Sequence, residues 1–188
     1  MLVGHDWGAE TAYAAAAGAP ERWRRLVTLA VPPAAMDDLL LGDYEQLKRF
    51  FYVFLLKDQS GLAEEVAARD DMAFLDLLWR DWSPGFEAAD HLARVKESLR
   101  EPARLKAAIA YYRATQLGGE AAAAAPPPQP TLFMHGVRDG CIRADLIRNA
   151  TDFLAPGSRM VAVPDAGHFL HLEQPGEVNA AIIGWLRT

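Results

Sequence analysis

The sequence predicts an α/β fold in which a parallel sheet carries an inserted block of helices. The first observation is a strand–helix–strand pattern: an apolar strand tail ending at Gly4, an Ala-rich helix over residues 9–18, and an apolar, β-branched run over residues 26–31. The second is a pair of similar short apolar runs, over residues 131–136 and 159–163. Helical patterns fill the long stretch between these two parts, which predicts an insertion between strands of one sheet.

Length and composition limit the class of protein. With 188 residues, of which 51% are hydrophobic and 23% are charged, the chain can bury about one globular core. A formal net charge of −6 argues against a nucleic-acid partner, and no run of about 18 apolar residues predicts a membrane span. Because Cys141 is the one cysteine and no secretory signal is evident, we expect a cytoplasmic location. No Cys/His cluster has metal-ligand spacing, so we expect neither a metal nor another cofactor.

The predicted domain organisation has four parts. Residues 1–34 begin the core, residues 35–117 form a helical cap, residues 118–130 form a linker rich in alanine and proline, and residues 131–188 complete the core. The predicted helices beyond the first lie at 44–56, 63–68, 72–79, 90–99 and 102–116 in the cap, and at 143–154 and 178–186 in the core. Most of the cap aromatics are interpreted as packing residues.

The turn at residues 4–8 has the pattern Gly-x-Asp-x-Gly. A strand that turns sharply into a helix brings its backbone close to its neighbours, and we expect both Gly4 and Gly8 to permit this approach. The turn projects its central residue, Asp6, above the sheet, as in a nucleophile elbow with aspartate in the serine position. A carboxylate is already anionic at neutral pH, so Asp6 can attack carbon and form an ester without a base to activate it. The alternative interpretation is a glycine-rich turn with a capping aspartate.

Two more polar residues follow predicted strands. Asp139 comes after the strand over residues 131–136, and His168 comes after the strand over residues 159–163. The carboxyl ends of parallel strands meet at one edge of a sheet, so both side chains can converge on Asp6. We expect Asp6 to attack carbon, His168 to activate water and Asp139 to orient the imidazole. Taken singly, the histidine could be a loop residue and Asp139 a turn residue.

These motifs resemble the Asp-nucleophile branch of the α/β-hydrolase superfamily. The elbow Gly4-His5-Asp6-Trp7-Gly8 is similar to that of epoxide hydrolases and, next, of haloalkane dehalogenases. His135-Gly136-x-x-Asp139 resembles their acid loop, and Ala166-Gly167-His168-Phe169 resembles their histidine loop, with Glu173-Gln174-Pro175 following it. The resemblance implies the C-terminal part of an α/β-hydrolase fold. The N-terminal strands and their His-Gly-x-Pro segment, which supplies an oxyanion donor, have no counterpart here.

The resemblance also implies roles for residues around the elbow. Tyr111-Tyr112-Arg113 is similar to a cap segment of epoxide hydrolases, which makes Tyr112 the phenol that donates to the epoxide oxygen. Tyr52 is the nearest substitute for the second ring-opening tyrosine of that family. The backbone N–H of Trp7 is placed as an oxyanion donor, and its indole could bind a halide. His5, on the other side of Asp6, is expected to contact substrate.

Three functions stay open at this point. The first is an epoxide hydrolase that forms a diol through an Asp6 alkyl ester. The second is a haloalkane dehalogenase, with fluoroacetate dehalogenation as a variant. The third is a truncated α/β-hydrolase fragment without turnover. The expected partner of the first two is a small apolar epoxide or haloalkane, because the cap is rich in Leu, Phe and Tyr. A homo-oligomer is left open, and neither nucleic acid nor a membrane is expected as a partner.

Overall fold

Four parallel strands form one sheet in the computed structural model, which describes residues 1–115 and 126–187. The strands, in chain order and in sheet order, are β1 (Leu2–His5), β2 (Leu26–Leu29), β3 (Thr131–Gly136) and β4 (Arg159–Val163). Their parallel register confirms the predicted α/β class. The carboxyl ends of the four strands therefore lie at one edge of the sheet, and this is the edge where we expected the polar loops to meet.

The two central strands, β2 and β3, are buried along their whole length. Their side chains alternate between two apolar layers. Val27, Leu29, Leu132 and Met134 pack in one layer that also contains residues of the C-terminal helix, whereas Phe133 belongs to the layer formed with the inserted helices. Coverage on both faces explains why these strands are continuous apolar runs rather than alternating patterns.

Helix α1 (Trp7–Gly18) connects β1 to β2, with a short 3₁₀ turn, Pro20–Arg22, after it. Ala9, Ala12 and Ala16 lie buried on the helix. Small side chains at these positions let the helix pack closely against the sheet. The helix begins two residues earlier than the sequence predicts, because its first turn starts directly after Asp6.

The insertion between β2 and β3 is helical throughout its described length. After a 3₁₀ turn at Ala34–Met36 it comprises α2 (Asp37–Gly42), α3 (Tyr44–Arg49), α4 (Phe51–Leu56), α5 (Leu62–Trp82), α6 (Ala89–Leu99) and α7 (Pro102–Ala114). Helix α5 is interrupted at residues 69–72, where the backbone leaves helical geometry and three successive residues have positive φ. This interruption confirms the predicted boundary between two helical segments.

Two helix predictions were wrong. The predicted helix at 44–56 is split at Phe50 into α3 and α4. The predicted helix at 143–154 consists of turns that end in a 3₁₀ segment, Ala150–Phe153. At its start this segment contacts the insertion: the backbone N–H of Arg143 donates to the side chain of Gln46 at 2.9 Å, and the Arg143 guanidinium binds Asp43 at 2.8 Å. Further along, the N–H groups of Leu146 and Ala150 donate to carbonyl groups three residues back, which closes separate turns in place of an α-helix.

The C-terminal segment contains α8 (Leu170–Glu173) and α9 (Pro175–Arg187). Helix α9 was predicted over 178–186 and is longer at its N-terminal end, where Pro175 starts the first turn. Of the predicted linker at 118–130, residues 118–125 lie outside the described residues, as does Gln116 at the predicted end of the last cap helix. Among the described helices, none combines the length and apolar character that crossing a bilayer requires.

Candidate active site

The turn between β1 and α1 holds Asp6 in a strained conformation. Its φ is 53° and its ψ is −123°, in a region that side-chain-bearing residues rarely adopt. A Cβ added at Gly4 would lie 2.1 Å from the carbonyl oxygen of Gly8, so only glycine fits at that position. A Cβ added at Gly8 would meet nothing within 4 Å. The close approach that we expected on both sides of the turn is therefore present only at Gly4.

The side chains of Asp6, Asp139 and His168 form one hydrogen-bonded chain. His168 Nδ1 lies 2.9 Å from Asp139 Oδ2, and His168 Nε2 lies 3.3 Å from Asp6 Oδ2. Both Asp139 and His168 are buried. The structure therefore brings together the three residues that the sequence places after separate strands.

Electrostatic interactions determine the charge states of Asp6, His168 and Asp139. Burial alone would lower the pKa of His168, but the charges and hydrogen bonds of Asp139 and Asp6 outweigh burial and raise the pKa to about 10. Burial acts to raise the pKa values of both carboxyl groups, and their interactions with His168 lower them below the ordinary value. At neutral pH the site thus contains two carboxylates and one imidazolium, which donates to both.

Backbone donors orient Asp139. Its Oδ1 accepts the N–H groups of Cys141 at 2.6 Å and Ile142 at 2.9 Å, which leaves Oδ2 directed at His168. Such a turn residue is common in loops, and here its second oxygen carries the contact to the imidazole. Arg49 of α3 donates to the backbone carbonyl of Asp139 at 2.9 Å, which ties this loop to the insertion.

The last turn of α5 supports both loops of the site. The carbonyl of Trp82 accepts the N–H of Gly140 and the N–H of His168, each at 3.0 Å. Ser83 accepts the N–H of Phe169 at 3.1 Å and donates to Glu173 at 2.7 Å. Sequence reasoning missed Trp82 and Ser83 as supports of the site, because nothing in their local pattern predicts contacts more than 50 residues away.

A cavity of about 300 Å³ opens above Asp6. Its lining includes three residues that the resemblance assigned to substrate, Trp7, Tyr52 and Tyr112. The remaining lining residues are Glu10, Val31, Pro32, Ala34, Asp37, Leu40, Leu41, Phe50, Val53, Thr115, Cys141 and Ile142. Concave, mainly apolar lining with few polar groups is typical of a small-molecule site.

Two phenols and one indole lie together in this cavity. The rings of Tyr52 and Tyr112 are 6.0 Å apart, and Trp7 contacts Tyr112 edge-on at 5.0 Å. Burial raises the pKa of both tyrosines, and the charge of Asp6 adds to this effect. A hydrogen bond from Trp7 acts in the opposite direction on Tyr112. Both phenols therefore keep their protons at neutral pH and can act as hydrogen-bond donors.

His5 lies behind the histidine loop, outside the residues that line the cavity. Its Nε2 lies 2.9 Å from the carbonyl of His168, and its ring contacts His171 at 4.5 Å. Burial and the neighbouring charge of His168 lower the pKa of His5 to about 4, so the ring is neutral and donates to that carbonyl. The structure thus places His5 as a support of the His168 backbone, and not at the cavity wall where a contact with substrate was expected.

The described residues contain one group with metal-ligand proximity, in which atoms of Asp139, Cys141 and His168 lie within 4.8 Å of one another. The chemistry of this group fits a metal poorly. Asp139 and His168 are bonded to each other, and burial raises the pKa of the Cys141 thiol well above its ordinary value. A metal would have to deprotonate that thiol and break the contact between Asp139 and His168.

The parallel sheet, the strained turn after its first strand and the Asp–His–Asp chain at the strand ends define a protein of the α/β-hydrolase type. Comparison with known proteins agrees with this class. The chain belongs to the alpha/beta hydrolase fold family, whose model matches residues 1–175.

Curated relatives resemble the chain at low identity. It is 26% identical to the AB hydrolase superfamily protein YfhM of Bacillus subtilis, covering 100% of this chain and 66% of YfhM. It is 25% identical to Epoxide hydrolase 1 of Caenorhabditis elegans, covering 97% of this chain and 46% of that protein. The chain thus spans between about half and two-thirds of the length of these relatives.

Solved structures with the same fold include epoxide hydrolases. A mutant of an epoxide hydrolase from Bacillus megaterium superposes with a TM-score of 0.79 at 22% identity, covering 100% of this chain and 69% of that one. A structure from work on epoxide hydrolases in metagenomes from hot environments gives a TM-score of 0.77 at 24% identity, covering 98% and 66%. At these identities the superpositions establish the fold.

Proposed function

We propose that this site opens epoxides to diols through an ester on Asp6. The observation that carries the proposal is the arrangement of one cavity: an ionised carboxylate at the strained turn shares it with two protonated phenols, Tyr52 and Tyr112. Ring opening needs a nucleophile on carbon and a proton donor on oxygen, and these groups supply both. Epoxide hydrolases among the relatives support this choice.

In the first step, a carboxylate oxygen of Asp6 attacks a ring carbon of the epoxide. The bond between that carbon and the ring oxygen breaks, and its electron pair stays on the oxygen. A phenol of Tyr52 or Tyr112 donates its proton to this oxygen as the negative charge develops and is left as a phenolate. The product is an alkyl ester of Asp6 that carries a hydroxyl group on the adjacent carbon.

The second step requires His168 to change from acid to base. Esterification removes the negative charge of Asp6 and its hydrogen bond to His168, and both of these contribute to the high pKa of that imidazole. The pKa therefore falls in the ester, and His168 can return its proton to the phenolate, which restores the phenol, and then accept a proton from water. The resulting hydroxide attacks the ester carbonyl, and the backbone N–H of Trp7 stabilises the oxyanion. The bond between the carbonyl carbon and the alkyl oxygen then breaks, and the imidazolium of His168 protonates that oxygen, so that the diol leaves. The carboxyl group of Asp6 finally returns its proton to His168. Asp139 stabilises the imidazolium in this step.

Haloalkane dehalogenation is the second candidate, because the same nucleophile and histidine would serve it. A halide needs donors that are free to point at it. The indole of Trp7 instead donates a hydrogen bond to the phenol of Tyr112. The other donors in the cavity include phenols, which suit the oxygen of an epoxide. These contacts favour the epoxide as substrate.

The test compares turnover of styrene oxide with that of 1-haloalkanes by the purified chain. Diol formation from the epoxide is expected, and it should be lost in Asp6→Ala and kept in Asp38→Asn, which changes an exposed carboxylate nearby. In His168→Gln the alkyl ester should accumulate and be visible by mass spectrometry as an adduct on Asp6. Halide release without diol would favour the dehalogenase, and turnover of neither class would favour a non-catalytic fragment.

A further inference from the structure

One wall of the cavity is acidic. The carboxyl groups on its lining belong to Asp6, Glu10 and Asp37, and no arginine, lysine or histidine belongs to that lining among the described residues. Most other lining side chains are aliphatic or aromatic. In such surroundings a charge acts on a ligand with little screening by water, so the sign of the wall matters for what enters.

Glu10 lies close to the reacting group. It is on the first turn of α1, and its backbone N–H donates to the carbonyl of Asp6 at 3.3 Å. The structure gives the Glu10 carboxyl no ion pair and no side-chain hydrogen bond within residues 1–115 and 126–187. Asp6 differs, because His168 compensates its charge. Glu10 is thus a carboxyl group at the cavity wall that is available to a bound molecule.

The surroundings of Glu10 make it responsive near neutral pH. Burial, which is the largest cause, and the charges of Asp37 and Asp6 together raise its pKa to about 7. Tyr13, one turn further along the same helix, is coupled to Glu10 but stays protonated because burial raises its own pKa. A ligand cation beside Glu10 would stabilise its charged form, whereas a ligand anion would oppose it.

We infer that the carboxyl group of Glu10 makes this cavity select ligands with an ammonium or hydrogen-bond-donating substituent and reject carboxylates. This inference extends the proposed function, and the preference among epoxide substrates rests on that function. Amino- or hydroxyl-bearing epoxides are then the preferred substrates, and epoxy acids and halocarboxylates are poor ones. Glu10 acts as a specificity-determining residue through its charge, without a part in bond breaking.

The test measures binding of three inert ligands that share one carbon skeleton: 3-phenylpropylamine, 3-phenylpropan-1-ol and 3-phenylpropanoate. Calorimetry at pH 8 should give the tightest binding for the amine and the weakest for the carboxylate, with a ratio of about tenfold or more. At pH 6 the ratio should shrink, because Glu10 is then mostly protonated.

The Glu10→Gln variant should reduce the amine-to-carboxylate ratio at pH 8 several-fold and remove most of its pH dependence. Asp38→Asn is the matched control, since Asp38 is exposed and lies outside the cavity lining. Equal binding of amine and carboxylate, an unchanged ratio in Glu10→Gln, or binding of none of the three ligands would overturn the inference. Selective binding together with a failure to turn over epoxides would instead contradict only the proposed function.

Discussion

The two glycines around Asp6 have different physical roles although the motif treats them alike. Gly4 is fixed by a steric fact, since any Cβ there would overlap the carbonyl of Gly8. Gly8 lies in the first turn of α1 with free space where its Cβ would be. The sharp turn at Asp6, with its strained φ, is thus possible because Gly4 on the preceding strand has no side chain.

We predict opposite outcomes for alanine at the two positions. Gly4→Ala should lower the free energy of unfolding by about 3 kcal/mol or more, because backbone must move to relieve the overlap. Gly8→Ala should leave stability unchanged or raise it by about 0.5–1 kcal/mol, as alanine is a better helix former. Thermal and urea unfolding of both variants would check this. Equal destabilisation by the two changes would show that the second glycine is also sterically required.

The high pKa of His168 should depend on the nucleophile position. In Asp6→Asn the charge of Asp6 is lost, whereas the contact to Asp139 remains, so the pKa of His168 should fall clearly below about 10. Titration of the imidazole resonances by NMR measures this directly, with Asp38→Asn as the control. A pKa that does not move would mean that Asp139 alone sets the charge state, and it would remove the basis for the proposed switch from acid to base.

At the scale of elements, the end of α5 is a structural part of the site. Through Trp82 and Ser83 it holds the acid loop and the histidine loop, which follow different strands. Gly140 and Gly167 allow this contact, since a Cβ at either position would lie within 3 Å of the α5 backbone or of Ser83. The insertion therefore sets the spacing of the loops that carry Asp139 and His168, and it also contributes residues to the cavity lining.

Removal of the Ser83 hydroxyl tests this support. Ser83→Ala leaves the N–H of Phe169 and one oxygen of Glu173 without their partner, which should cost about 1–3 kcal/mol of stability. Any measured turnover should also fall, because the loop that carries His168 is less well held. Ser98→Ala is the control, since its hydroxyl makes an exposed bond within its own helix. Equal effects of the two variants would contradict a special role for Ser83.

At the scale of the whole molecule, pH acts on stability through buried carboxyl groups of both kinds. Asp6 and Asp139 have lowered pKa values, so their contribution is present above the ordinary range and is lost as pH falls. Glu10 has a raised pKa of about 7, so its contribution is present at low pH and is lost as pH rises from about 4.5 through 7. Ionised Glu10 thus lowers the stability of the protein in the same pH range in which its charge would favour a cationic ligand.

Glu10→Gln should consequently stabilise the protein more at pH 8 than at pH 5. The increase in the free energy of unfolding caused by this substitution should be larger at pH 8 than at pH 5 by on the order of 2 kcal/mol. Urea unfolding at both pH values measures it, and Glu21→Gln, at an exposed position, should show no such dependence. A gain that is the same at both pH values would mean that Glu10 is not ionising in this range.

Local signals predicted the sheet and the order of its loops, because short apolar runs and turns are encoded by neighbouring residues. They also placed Asp6, Asp139 and His168 at one edge. What could not be predicted depends on distant contacts. The N–H of Arg143 donates to the side chain of Gln46, 97 residues away, and no local pattern indicates this contact. Glu10 reads as an ordinary helix residue, and only its position on the cavity wall distinguishes it.

The hydrogen bonds that link Trp82 and Ser83 to the loops that carry Asp139 and His168 have a consequence for protein engineering. Exchanging the inserted helices between homologues is an obvious route to new specificity, with crossover points chosen near the ends of the insertion. Such a chimera would import foreign backbone acceptors for Gly140 and His168 along with the new cavity wall. Crossovers that retain the native end of α5 should therefore give active recombinants more often than a full exchange, and libraries can be designed on that basis.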